Sequence, residues 1–163
     1  MSDTLPPVAE PLALLFKINN SMVRQGLDGL TDDEAWQQLE GQGNPIAWIV
    51  GHLTETRAQM LRLLGTDWDA GWGGRFKRGS DLCERSIYPS RPEIEAKFNE
   101  TRGQMRAAFA ALTAERLAAD APASFAGAKT VADLLGFFAF HEAYHLGQVG
   151  YIRKRLGHSS LAG

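Results

Sequence analysis

The sequence predicts an all-α protein, a four-helix bundle with a short accessory helix. Apolar residues recur every three or four positions through four long segments, which is the period of an amphipathic helix. No segment of any length alternates with the period of a β-strand. The 163 residues suffice for one domain with a sizeable core. We therefore expect a single domain over 1–163, with a loose arm at 1–10 and a tail at 158–163.

The first long helix and the accessory helix are predicted from helix-start and helix-stop residues. We expect helix 1 from about Pro11 to Leu27, because proline suits a first turn and glycines follow the apolar stripe. Thr31 and Glu34 match a capping box. This box predicts the short accessory helix, which we expect to end at about Leu39.

Helix 2 is followed by a long connection. Asn44 as N-cap and Pro45 in the first turn predict its start, and Gly65 predicts its end. Residues 66–89 are rich in glycine, aromatic and basic residues, and loops of this length are often functional. We favour a crossover whose aromatic residues cover the end of the bundle over a lid or a dimer contact. A connection this long also allows helices 2 and 3 to run parallel.

Helices 3 and 4 complete the predicted bundle. We expect helix 3 to open at Ser90 and to reach about Leu112, with one further turn over 113–117. After a loop of small and polar residues, Thr130 opens helix 4, which runs to about Leu156. Basic residues in its last turns suit the negative end of the helix dipole.

Composition excludes several classes of function. The net charge of −2 and the absence of a basic block give nucleic-acid binding no support. The only cysteine, Cys83, cannot form an internal disulfide, which fits a reducing cytoplasm. The first residues do not resemble a signal peptide, and no apolar stretch is long enough to cross a membrane. We therefore expect a cytoplasmic protein without nucleic-acid or membrane partners.

Two histidines lie within the apolar face of helix 4. At about 100° per residue, His141, His145 and Gln148 occupy a narrow arc of that face. Buried imidazoles without partners are costly, so something should satisfy them. A divalent metal ion is one solution. The other is a pair of core histidines that bond to protein groups.

A third histidine, on helix 2, strengthens the metal hypothesis. His52 lies on the same side of that helix as Trp48. If helices 2 and 4 are neighbours, His52, His141 and His145 can converge on one ion. Three histidines and a water form an open, reactive zinc site. We expect zinc, although imidazole ligands also suit nickel and other transition metals. Gln148 and Trp48 are candidate residues of the pocket or of the shell around the ligands.

The string from His141 to His145 also matches the H-E-x-x-H motif of zinc proteases. We do not favour a protease, because no acidic residue follows Glu142 as a third ligand and no strand is predicted to hold a peptide. Glu142 lies about 100° from His141 around the helix. We expect it on the flank of the bundle, as a solvated or structural carboxylate. His158, the remaining histidine, is expected in an exposed tail.

The chain resembles the DinB/YfiT-like metalloenzymes over about residues 11–157. The resemblance rests on Asn44-Pro45, on Gly51-His52-Leu53, on the string from His141 to Gln148 and on the basic ending that follows. It implies a four-helix bundle with a divalent metal held by His52, His141 and His145, and it implies that dimers are common, so we expect a homodimer.

The resemblance also implies a reaction. Relatives include S-transferases and isomerases that use mycothiol, bacillithiol or glutathione. We therefore expect a metal that activates a small thiol or water against an electrophilic substrate, as in an S-transferase or a hydrolase. Arg57, Arg75 and Arg78 could meet the carboxylates of glutathione. The alternative is a non-catalytic, metal-stabilised module for stress response or protein interaction.

Overall fold

The computed structural model describes residues 5–79, 82–122 and 127–161, and these contain α-helices but no β-strand. The helices are α1 (Ala9–Leu27), α2 (Asp32–Trp36), α3 (Ile46–Leu63), α4 (Arg91–Ala110), α5 (Ala114–Ala118) and α6 (Val131–Arg155). The four long helices, α1, α3, α4 and α6, pack against one another as a bundle. The predicted all-α four-helix bundle is therefore confirmed, with α3, α4 and α6 as the predicted helices 2, 3 and 4.

Several predicted helix ends shift by a few residues. The capping box of Thr31 and Glu34 is present, but α2 ends at Trp36, three residues before Leu39, because the backbone is extended from Gln37. The N-cap of α3 is Pro45 and not Asn44, and no side chain caps its first turn. Within the predicted arm, α1 begins at Ala9. Residues 1–4 of that arm and 162–163 of the predicted tail lie outside the described residues.

Two hydrophobic clusters fill the bundle and define its topology. One cluster joins the last half of α1 and of α6 to the first half of α3 and of α4. The other joins the opposite halves of the same four helices. Consequently α1 and α6 run in one direction, while α3 and α4 run in the other. The long connection over 66–89 thus links two parallel helices, as its length predicted.

A layer of polar side chains separates the two clusters. Arg57 of α3 and Glu142 of α6 form a bidentate ion pair, with Nε–Oε1 at 2.6 Å and Nη2–Oε2 at 2.9 Å. Arg57 Nη1 also donates to Asn20 Oδ1 (2.7 Å) and to Thr101 Oγ1 (3.1 Å), and Asn19 Nδ2 donates to Glu142 Oε2 (3.1 Å). Each long helix therefore contributes to this layer, which we call the polar layer.

The polar layer corrects two expectations. Glu142 is only 2% exposed, so it faces the interior and not the flank of the bundle; its structural role, however, was expected. Glu142 lies about 100° from His141 around α6, and in a bundle this direction points at a neighbouring helix. Arg57 is 1% exposed and bonded at both ends of its guanidinium, so it cannot meet the carboxylates of a bound thiol.

The connection and the C-terminal residues both pack on the bundle. Trp72 and Phe76 are buried in the cluster around the first half of α3, so the aromatic residues of 66–89 do cover this end. A 3₁₀ turn interrupts the connection at Arg85–Ile87. His158 is half-buried, with Nε2 3.2 Å from Glu34 Oε1, so the expected exposure of this residue is wrong. No helix in the described ranges is long and apolar enough to cross a bilayer.

Candidate metal centre

Three imidazoles meet between α3 and α6. His52 comes from α3, and His141 and His145 come from successive turns of α6. His141 Nε2 lies 3.2 Å from His52 Nε2 and 3.2 Å from His145 Nε2. With zinc–nitrogen bonds of about 2.0–2.1 Å, tetrahedral geometry requires nitrogens about 3.3 Å apart. The spacing of the Nε2 atoms therefore fits one ion held by three histidines, and the structure brings together the residues that the sequence predicted.

Hydrogen bonds orient two of the three rings. His52 Nδ1 is 2.7 Å from the carbonyl oxygen of Phe76, and His145 Nδ1 is 2.7 Å from Gln148 Oε1. Since a carbonyl or amide oxygen only accepts, each Nδ1 carries the proton and donates it. Each Nε2 is then left with a lone pair that faces the centre. Bonds of this kind are what fix the tautomer of metal-binding histidines.

The third ring shows why a cation suits this place. His141 Nε2 faces two other Nε2 atoms, and its Nδ1 is buried without a hydrogen-bond partner among the described residues. Lone pairs that face one another at 3.2 Å repel unless a proton or a cation lies between them. A divalent ion would serve all three Nε2 atoms at once. The donor set therefore fits a divalent metal.

Burial keeps the imidazoles neutral. Burial is the largest cause, and together with the neighbouring His145 and His52 it lowers the pKa of His141 to about 4. Burial also lowers the pKa of His52 and of His145, although their hydrogen bonds to Phe76 and Gln148 act in the opposite direction. At neutral pH the rings are thus uncharged, which is the form that binds metal ions.

The surroundings of His52 explain the Gly-His-Leu motif. A Cβ at Gly51 would lie 2.4 Å from the ring of Phe76, so this close approach requires glycine. The same Phe76 offers its carbonyl to His52. On the other side, the indole of Trp48 stacks on the His52 ring, with centroids 5.4 Å apart and planes inclined by 12°. Trp48 is buried and packs against one face of the His52 ring.

The candidate centre offers three protein ligands to a metal ion. Among the described residues no fourth histidine, cysteine, aspartate or glutamate joins the group. Glu142, the acidic residue of the H-E-x-x-H string, binds Arg57 in the polar layer and is not available as a base. Cys83 is exposed in the connection. A fourth coordination position would therefore be left for water or for an external ligand.

Two contributors to the site were not predicted from the sequence. The carbonyl of Phe76 is a main-chain group, so no residue type reveals it. Glu55, one turn after His52, accepts hydrogen bonds from the main chain at Gly74 (3.1 Å) and Phe76 (3.3 Å). The only available sign was the proximity of a carboxylate to the histidine on the same helix.

Comparisons with known proteins agree with this structure. No curated protein matches the chain. The family model of the DinB superfamily matches residues 15–149, which is 135 of 163 positions and includes all three histidines of the centre. The DinB-like part of the resemblance noted from the motifs is thereby confirmed, and the chain belongs to the DinB superfamily.

Proposed function

We propose that the protein is a divalent-metal enzyme that activates a small thiol or water against an electrophile, as an S-transferase or a hydrolase does. His52, His141 and His145 hold the ion. One observation carries the proposal: three neutral imidazoles converge, and no fourth protein ligand joins them among the described residues. Structural zinc sites are closed by four protein ligands, whereas catalytic sites keep one position open.

The protein residues have separate tasks around the ion. A bound divalent metal lowers the pKa of water or of a thiol and so supplies the nucleophile. The Phe76 carbonyl and the Gln148 amide hold two of the ligand rings in place. Trp48 shields the face of His52 from water. Zinc is the metal that we propose, with nickel or another transition metal as the alternative.

A positive charge near the centre supports an anionic thiol. The pKa of His141 is lowered first by burial and by the other two histidines, and Arg78 adds to this effect. The guanidinium of Arg78 is exposed and therefore accessible to a carboxylate. Among the three arginines expected to meet glutathione, Arg57 is excluded by its burial, while Arg75 and Arg78 remain as candidates.

The alternative function is a non-catalytic, metal-stabilised module for interaction or stress response. It is favoured by apolar side chains exposed on α1 and α6, two neighbouring helices. They are Leu14, Leu15 and Ile18 on α1, and Phe140, Tyr144 and Tyr151 on α6. Exposed apolar patches of this kind are typical of protein interfaces. We propose that this face forms a homodimer in either case, in the reducing cytoplasm where a single cysteine is common.

Metal analysis of protein purified without chelators tests the centre. We expect close to one equivalent of metal in the parent, and its loss in His52→Ala and His145→Ala. His158→Ala is the matched control, since His158 binds Glu34 and lies outside the centre. No metal in the parent, together with unchanged stability of all variants, would refute the metal hypothesis.

A spectroscopic titration separates the enzyme from the module. Cobalt is substituted at the centre, and glutathione is added while the visible spectrum is recorded. A new thiolate-to-cobalt band is expected if the fourth position is open. An unchanged spectrum would favour the non-catalytic module.

Light scattering tests the proposed homodimer. It should give twice the chain mass of 17.8 kDa for the parent and the single mass for Ile18→Glu.

A further inference from the structure

The direction of the His52 ring depends on a loop, and not only on the helix that carries it. The Nδ1–H of His52 donates to the carbonyl of Phe76, which belongs to the connection after α3. Because Nδ1 and Nε2 belong to one ring, this hydrogen bond helps to keep Nε2 directed at His141. Something must therefore hold residues 74–76 against α3.

Glu55 supplies this attachment. Its Oε1 accepts from the N–H of Gly74 at 3.1 Å, and its Oε2 accepts from the N–H of Phe76 at 3.3 Å. Glu55 is half-buried and follows His52 by three residues, so both lie on adjacent turns of α3. The same helix thus carries the metal ligand and the carboxylate that fixes the partner of this ligand.

We infer that Glu55 is a positioning residue for the metal ligand His52, acting through the main chain of Phe76. The inference rests on the proposed metal centre. The two N–H groups that Glu55 holds lie on either side of Arg75, so the carboxylate sets both the position and the direction of the following carbonyl. Gly51 completes the arrangement by admitting the Phe76 ring against α3.

Two substitutions and one control separate positioning from general loop stability. Glu55→Ala removes both carboxylate oxygens that accept from the main chain. Glu55→Gln keeps the shape of the side chain, but it leaves one accepting oxygen and places an NH₂ group against one of the two main-chain N–H groups. Asp69→Asn is the matched control, because Asp69 accepts from the N–H of Gly71 at 2.6 Å in the same connection. Its negative charge raises the pKa of Glu55, so removing that charge would favour the Glu55 carboxylate and not weaken its hydrogen bonds.

Zinc affinity is measured by competition with a chromophoric chelator. Loss of a group that orients a metal ligand typically weakens binding by about 10–100-fold. We expect Glu55→Ala to fall in this range, Glu55→Gln to weaken binding by less, and Asp69→Asn to bind as the parent does. Parent-like affinity in both Glu55 variants, or an equal loss in the control, would overturn the inference.

A second readout does not need the metal. NMR of isotope-labelled histidine in the metal-free protein reports the tautomer of His52, which should be Nδ1–H in the parent and mixed in Glu55→Ala. A parent that binds neither zinc nor nickel nor cobalt would refute the proposed function, while the tautomer would still decide the role of Glu55. Retention of the Nδ1–H form would refute that role. If circular dichroism shows that Glu55→Ala is unfolded, Glu55→Gln decides by the same measurements.

Discussion

Removal of the carboxylate of Glu142 is expected to destabilise the protein more than most single substitutions. In Glu142→Ala the guanidinium of Arg57 stays where it is 1% exposed, but it loses both arms of the bidentate pair. Only Asn20 Oδ1 and Thr101 Oγ1 remain as acceptors for it. A buried charge is left without its counter-ion, which is among the costliest defects in a core.

The expected loss is a large share of the stability of the fold. Breaking a buried ion pair from one side costs about 3–5 kcal/mol, whereas domains are stable by about 5–15 kcal/mol in total. For a chain of this size, about 2–4 °C of melting temperature are lost per kcal/mol, so a fall of about 6–20 °C follows. Arg57→Met combined with Glu142→Leu removes both charges and should recover most of the loss.

Urea unfolding of the metal-free protein, followed by circular dichroism, provides the measurement. Metal is kept out because binding would add its own free energy to the folded state. Glu100→Ala is the control, since it breaks the exposed pair with Lys97 and should cost less than about 1 kcal/mol. The reasoning is refuted if Glu142→Ala costs as little as this control, or if the double variant is less stable than Glu142→Ala.

Three further predictions concern the centre. Gly51→Ala should destabilise the fold by about 1–3 kcal/mol in urea unfolding, because the new Cβ would overlap the Phe76 ring; an unchanged midpoint would contradict this. The folded pKa of His141 is lowered to about 4, below the unfolded value of about 6.5, so the unfolded chain binds more protons between these values. The free energy of unfolding of the metal-free protein should therefore fall as pH falls from about 6.5 to 4, and a flat urea midpoint in this window would exclude it. Gln148→Ala should weaken zinc binding about 10-fold in chelator competition through loss of its bond to His145, and parent-like affinity would show that the bond is dispensable.

Much of the fold was predictable because its determinants are local. Apolar periodicity identified the four long helices, and the capping boxes at Thr31, Ser90 and Thr130 are present in the structure. The end of α2 was predicted less well, since the backbone leaves the helix for an extended conformation at Gln37. The start of α3 was misplaced by one residue, because proline at its N-cap leaves Asn44 too far away to cap the first turn.

The candidate centre was predictable where side chains of one chemical type recur at helical spacing. His141 and His145 were identified by this spacing, and His52 required the expectation that α3 packs beside α6. The ion pair of Arg57 and Glu142 could not be found in this way, since it joins residues 85 positions apart. Main-chain partners such as the Phe76 carbonyl leave no mark in residue type at all.

The polar layer also determines how the helices are aligned along their length. Apolar clusters such as the two in this bundle tolerate sliding, because one aliphatic side chain can replace another. A slip of α6 by one turn would move it by about 5.4 Å and separate the guanidinium from its carboxylate. Along α3, Arg57 lies five residues from His52. Along α6, Glu142 lies one residue from His141. The alignment that satisfies the buried pair is consequently the one that brings the imidazoles together, so the ion pair also specifies the register of the helices at the candidate centre.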